Sequence, residues 1–192
     1  MFNWYFVIAL VSAVLIGIII GDNFFVQVGQ RIHYNQRFRK LDPIFKTLSC
    51  TPFIVIVLFL TPFVFFALQQ DWYTAAALTA GCFLSLGTAF VGKYIFQRAR
   101  PLGHTTYLGK IDSAFPSAHT AGSFAAAFSL MVFWDWSLLA LAALALAGFI
   151  AVSRMYLQLH FLSDVAGGIL FAHVMVSLVL GSDFLLWLGF PA

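Results

Sequence analysis

The 192-residue chain contains no glutamate, and its whole complement of ionisable carboxylate side chains is seven aspartates. Carboxylates this sparse form no cluster that would hold magnesium, and no histidine and cysteine set has zinc spacing. The two cysteines, Cys50 and Cys82, show neither redox nor metal spacing; they are expected to be small buried apolar residues without a disulfide. Charged residues make up 9% of the chain, against 62% hydrophobic residues and a mean hydropathy of +0.95. Such a composition excludes an ordinary soluble globular domain and belongs to the membrane class. No internal repeat, low-complexity segment or domain linker is evident, and no nucleic-acid partner is expected.

What the chain has is long apolar runs. Windows free of Asp, Lys and Arg cover residues 1–21, 47–70, 72–92, 113–134, 136–153 and 165–182, each near the roughly 20 residues that a spanning helix requires. In lipid, backbone polar groups must be satisfied within helices. The expected fold is therefore all-α: an integral membrane bundle of six transmembrane helices, forming one domain over 1–192. The first window lacks the basic start and small-residue cleavage site of a signal peptide and is expected to be retained. Between spans one and two, residues 21–49 mix Arg31, Arg37, Arg39, Lys40 and Lys46 with apolar residues. Short interfacial helices attracted to anionic membrane lipids are expected there. The second span is expected at about Pro52 to Leu68 with a kink at Pro62, and the sixth at about Leu162 to Gly181.

Ionisable groups kept at membrane depth are costly and usually functional. Here they fall in three clusters: Lys93 with Arg100 and Pro101; Pro116, Ser117, Ala118 and His119; and Ser153 and Arg154 with His160 and Asp164. The order of the spans puts all three on one side of the membrane, at the ends of four helices. Together they supply three cations, two histidines, a carboxylate and serine hydroxyls, an inventory for handling phosphate. Lys93 and Arg100, seven apart, share a face if the third helix continues to Pro101, and Arg98 then points elsewhere. His160 and Asp164 are neighbours at i and i+4. Pro116 and Ser117 suit the first turn of the fourth helix, where free amides attract an anion. One histidine can attack phosphorus while the other protonates the departing oxygen. His173 lies on the opposite face and reads as a hydrogen-bonded histidine of the bundle.

These residues resemble the three-part signature of the type 2 phosphatidic acid phosphatase superfamily, which includes bacterial lipid pyrophosphate phosphatases and, more distantly, vanadium haloperoxidases. The signature is lysine, six residues, Arg-Pro; Pro-Ser-Gly-His; and Ser-Arg, five residues, His, three residues, Asp. Every spacing is met in this chain, with Ala118 in the place of the usual glycine. The resemblance implies that His160 attacks phosphorus and becomes a phosphohistidine, that Asp164 orients its ring, and that His119 protonates the leaving lipid oxygen and then activates water. Lys93, Arg100, Ser117, Ala118 and Arg154 would bind the phosphate, with no metal or other cofactor. His104 and Lys110, in the loop before the fourth span, are candidates for headgroup contact.

The implied activity is hydrolysis of a lipid phosphomonoester or diphosphate in the cell membrane, with undecaprenyl diphosphate, phosphatidylglycerol phosphate and phosphatidic acid as candidates and the first two preferred. A lipid phosphotransferase could use the same residues; a non-enzymatic transporter or scaffold would give no reason for the complete set. Oligomeric state is not legible. All ten Lys and Arg fall on the active-site side, which by the positive-inside rule would be cytoplasmic. The resemblance implies an extracytoplasmic site, and three of those cations are required by the chemistry. A single cysteine placed within 21–49, in a background lacking Cys50 and Cys82, is therefore expected to react with an impermeant thiol reagent added to intact cells; protection from it would put the site inside.

Overall fold

The computed structural model describes residues 11–12, 15–16, 22–34, 39–101, 113–133 and 137–181, and among these every regular element is helical. Most of the first predicted span lies outside the described residues. The connection that follows holds α1 (Asp22–Tyr34), a short 3-10 turn (Arg39–Leu41) and α2 (Asp42–Leu48). The bundle consists of α3 (Thr51–Leu68), α4 (Trp72–Phe96), α5 (Ala118–Phe133), α6 (Leu138–Tyr156) and α7 (Leu162–Gly181). Four of these, α3, α4, α6 and α7, are long and apolar enough to cross a membrane. α5 is a shorter apolar helix of 16 residues, about 24 Å at 1.5 Å per residue. The architecture is that of a multi-pass membrane protein.

Local chemistry sets most of the boundaries. Asp71 caps α4 by accepting a hydrogen bond from the Thr74 amide at 3.0 Å, and Ser137 caps α6 through the Ala140 amide at 3.3 Å. Pro62 cannot donate to the helical ladder, and the disturbance expected there takes the form of a π-helical turn over Val55–Leu60, just ahead of it. Several helix ends carry no glycine signal. Gln97 ends α4 with φ 45° and ψ 37°, and Gln158, at φ 56°, follows α6. Left-handed backbone at C′ is usual, but glycine usually occupies it. The third span therefore stops at Phe96 and does not reach Pro101.

α5 is the hub, packing against α4, α6 and α7. Most of its inner positions are small, with Ala118, Thr120, Ala121, Ser123, Ala125, Ala126, Ala127 and Ser129 buried beside Phe124 and Leu130. Small residues let helix backbones approach where lipid offers no hydrophobic drive. A close backbone approach occurs at Gly168 of α7, where an added Cβ would lie 2.7 Å from the Ser117 carbonyl oxygen and 3.2 Å from the Ala121 nitrogen. α3 lies outermost, exposing Val55, Ile56, Leu60, Val64, Phe65 and Leu68 as a lipid-type surface. α2 packs on α6, with the Tyr156 hydroxyl donating to Asp42 Oδ1 at 2.6 Å and Phe45 against the Tyr156 ring at 4.3 Å. Cys82 is buried as expected; Cys50 is exposed, because it caps α3 at the junction with α2 and does not enter the bundle.

A methyl group at Gly168 meets backbone that cannot swing aside. Gly168→Ala is expected to destabilise the bundle by about 1–3 kcal/mol, read as a lower unfolding temperature in detergent. Gly148→Ala, where a Cβ meets nothing within 4 Å, is expected to be neutral or slightly stabilising.

Candidate active site

The four helix ends expected to meet do so. The end of α4 brings Lys93, the start of α5 brings Ser117 to His119, the end of α6 brings Arg154, and the turn into α7 brings His160 and Asp164. Arg154, Lys93 and Arg100 all act electrostatically on both His119 and His160, and His160 acts on His119 as well. Lys93 is buried, its Nζ donating to the Ser113 carbonyl while the Ser113 hydroxyl donates back to the Lys93 carbonyl at 2.9 Å. That reciprocal pair ties the end of α4 to the segment entering α5.

Ser117 sits at the N-cap of α5. Its Oγ accepts from the Thr120 amide at 3.4 Å and lies 2.9 Å from the Thr120 hydroxyl, while its own amide donates to the Asp164 carbonyl at 3.0 Å. The start of α5 is thereby pinned to the start of α7. Ala118 is buried among Ala89, Ala121 and Leu86. His119 is half-buried, with Nε2 3.0 Å from the hydroxyl of Thr51 on α3.

His160 follows from the way α6 stops. With Gln158 left-handed, the amides of Leu159 and His160 both turn back to the Arg154 carbonyl, at 3.0 and 3.3 Å. The ring is thus folded over the helix end beside Arg154. Nδ1 lies 2.8 Å from the Ala114 carbonyl, and a carbonyl only accepts, so the proton sits on Nδ1 and Nε2 keeps its lone pair. Asp164 Oδ2 is 3.7 Å from the same Nδ1. The main-chain carbonyl is therefore the nearer of two acceptors that face Nδ1, with the expected carboxylate the second. Burial first, then the charges of Arg154, Lys93 and Arg100, hold the His160 imidazole well below the usual histidine range.

The sequence reading goes wrong at Arg98, and the helical route by which it brought Arg100 to the site does not hold. A helix continuing to Pro101 would place Arg100 on the Lys93 face and turn Arg98 away; because α4 ends at Phe96, that count does not apply. Arg100 lies beyond the end of α4, half-buried, and still reaches the histidines electrostatically. Arg98 turns inward and donates from Nη1 to Asp164 Oδ1 at 2.9 Å. It also pairs with Asp22 of α1 and with the Ser163 hydroxyl. Asp22, Ser113, Thr51 and Ser163 were likewise missed. For Asp22 a signal existed: a carboxylate closing a long apolar run in a chain with only seven of them.

His173 packs edge-to-face on Phe128, ring centroids 5.8 Å apart, away from the cluster. His104 and Lys110 lie outside the described residues. Among the described residues no group of three or more His, Cys, Asp or Glu comes together as a metal site. An apolar cavity of about 350 Å³ opens beside the cluster, between α3, α4 and α5. Ile54, Leu58, Phe59, Leu86 and Phe90 line it, and Thr51, Ala118 and His119 belong to its wall as well as to the polar site.

A family model described as the PAP2 superfamily matches residues 72–185, the stretch from α4 to just beyond α7. No curated protein matches. Among solved structures the chain is similar to one described as the first transmembrane PAP2 type phosphatidylglycerolphosphate phosphatase from Bacillus subtilis. The TM-score is 0.69 at 19% identity, over 94% of this chain and 96% of that one. At that identity the likeness is one of fold.

Because its proton affinity is lowered, the His160 ring is expected to stay neutral as pH falls through the ordinary histidine value of about 6.5. Histidine-selective ¹⁵N NMR should show its midpoint below that value in the wild type. Arg154→Gln removes the largest of the three opposing charges and should move the midpoint upward.

Proposed function

The chain belongs to the PAP2 superfamily, and from that premise we propose that it is a lipid phosphate phosphatase of the membrane. The observation that carries this reading is the position of His119, which belongs both to the cationic cluster and to the wall of the apolar cavity. A phosphate held by the cluster would have its ester oxygen at His119 and the chain attached to that oxygen running into the cavity. The leaving group that fits is a lipid alcohol or a lipid monophosphate. Phosphatidylglycerol phosphate and undecaprenyl diphosphate both have this form, and so does phosphatidic acid.

In the proposed reaction, Nε2 of His160 attacks phosphorus in line with the leaving oxygen. A nitrogen–phosphorus bond forms, the phosphorus–oxygen bond to the lipid breaks, and His119 gives the departing oxygen its proton. His119 then takes a proton from water, whose oxygen attacks phosphorus, and inorganic phosphate leaves from His160. Lys93, Arg100 and Arg154, with the first-turn amides at Ala118 and His119, stabilise the charge on the equatorial oxygens. Electrostatic stabilisation of this kind is the usual dominant contribution to phosphoryl transfer. Ser117 acts by capping the helix that presents those amides. No metal takes part in these steps. His104 and Lys110 are proposed to meet the headgroup, and α1 and α2 to lie in the headgroup region on the extracytoplasmic side.

Purified wild-type protein is expected to release phosphate from a panel of lipid phosphates in mixed micelles, with inhibition by vanadate. His160→Ala should abolish release while the bundle stays folded, and full activity in that variant would overturn the nucleophile assignment.

A further inference from the structure

Arg98 touches, through different atoms, both of the groups that face Nδ1 of His160. Its guanidinium holds Asp164 Oδ1 at 2.9 Å, and its carbonyl accepts the Ala114 amide at 2.7 Å. The other oxygen of Asp164 faces Nδ1 at 3.7 Å, and the carbonyl of Ala114 faces it at 2.8 Å. Resting on the phosphatase reading above, we propose that Arg98, anchored by Asp22, is the positioning residue that keeps the His160 proton on Nδ1 and the lone pair on Nε2 aimed at phosphorus.

The anchoring is unusually complete for a residue outside any helix. Nη1 donates to the Ser163 hydroxyl at 2.5 Å as well as to Asp164, and Nη2 donates to Asp22. Asp22 in turn accepts from the Ser163 hydroxyl at 2.7 Å and from the Ser163 amide at 3.2 Å. The guanidinium lies 4.2 Å over the Phe161 ring, and the Phe161 amide donates to Asp164 Oδ2 at 2.8 Å. Asp164 is fully buried and Asp22 is 6% exposed. Arg98 therefore stands between two buried carboxylates and gives each a charge-assisted hydrogen bond; without it they would oppose each other across Ser163. Only a planar fork meets three acceptors in these directions, and a lysine ammonium, a single point of charge, does not reproduce it. Asp22 makes no contact with His160 among these bonds, so its influence on the reaction passes through Arg98, directly and by way of the Ser163 hydroxyl.

The test compares kcat and KM for a lipid phosphate in Arg98→Gln, Arg98→Lys, Asp22→Asn and the double variant Asp22→Asn with Arg98→Gln, each checked for an unchanged melting temperature in detergent. Losing an orienting partner of a reactive histidine is expected to lower kcat by about 10- to 100-fold while KM stays within about threefold, as for an interaction that matters in the transition state. Arg98→Lys should recover part of the loss. Asp22→Asn should cost less than Arg98→Gln, and the double variant should be no worse than Arg98→Gln alone, since Asp22 acts through Arg98. ¹⁵N NMR of His160 should show Nδ1 losing its share of the proton in Arg98→Gln. An active wild type with kcat unchanged in Arg98→Gln would overturn this inference and leave the phosphatase reading standing. So would a fall in folded protein across all the variants that accounts for the whole loss. A wild type that releases no phosphate from any lipid phosphate would instead remove the reading itself.

Discussion

A carboxylate sealed from water has to be matched by donors, and the matching of Asp164 is the constraint from which the rest of this structure follows. An unpaired buried charge would cost several kcal/mol. Asp164 meets the requirement with the Phe161 amide and the Arg98 guanidinium, while its own carbonyl takes the Ser117 amide. Those three partners come from the turn before α7, the segment after α4 and the cap of α5. Satisfying one side chain and its backbone thus draws three helix ends together, and Arg154, folded under His160 at the end of α6, brings the fourth. The polar end of the bundle is a single connected network in which the placement of the two histidines and the cost of burying charge have one solution.

Much of this was legible in the sequence. Apolar run length gives the helices, and the sixth expected span coincides with α7, from Leu162 to Gly181. The three clusters and their common side follow from the positions of charge in the chain and from parity of the spans. What stayed hidden was local backbone geometry. Gln97 and Gln158 adopt left-handed conformations that nothing in a glutamine announces. Both lie at the two helix ends that aim site residues, so extrapolating α4 as a helix to Pro101 turned Arg98 away from the site and gave Arg100 a helical position that it does not have. Asp22 was hidden for a different reason: its partners Arg98 and Ser163 lie 76 and 141 residues away, and no periodicity links them.

The apolar half of the molecule has a complementary logic. α5 is built of small residues because it must sit against three neighbours, and Gly168 lets α7 approach until backbone nearly meets backbone. α3 lies outside that tight core and leaves the cavity along α4 and α5. A densely hydrogen-bonded polar end beside a more open apolar slot is the arrangement on which the proposed substrate, with a charged head and a long tail, rests. Thr51, bonded to His119 from α3, is where the two halves touch.

The central claim is that these helix ends make His160 a phosphorus nucleophile. Its most direct test is acid-free quenching of the wild-type enzyme during turnover of a lipid phosphate carrying ³²P in the transferred group, followed by peptide mapping. The account predicts label on a peptide containing His160, stable in alkali and lost in acid as a nitrogen–phosphorus bond should be. Turnover with label on another side chain, or with phosphate released and no labelled enzyme at any time after mixing, would contradict it.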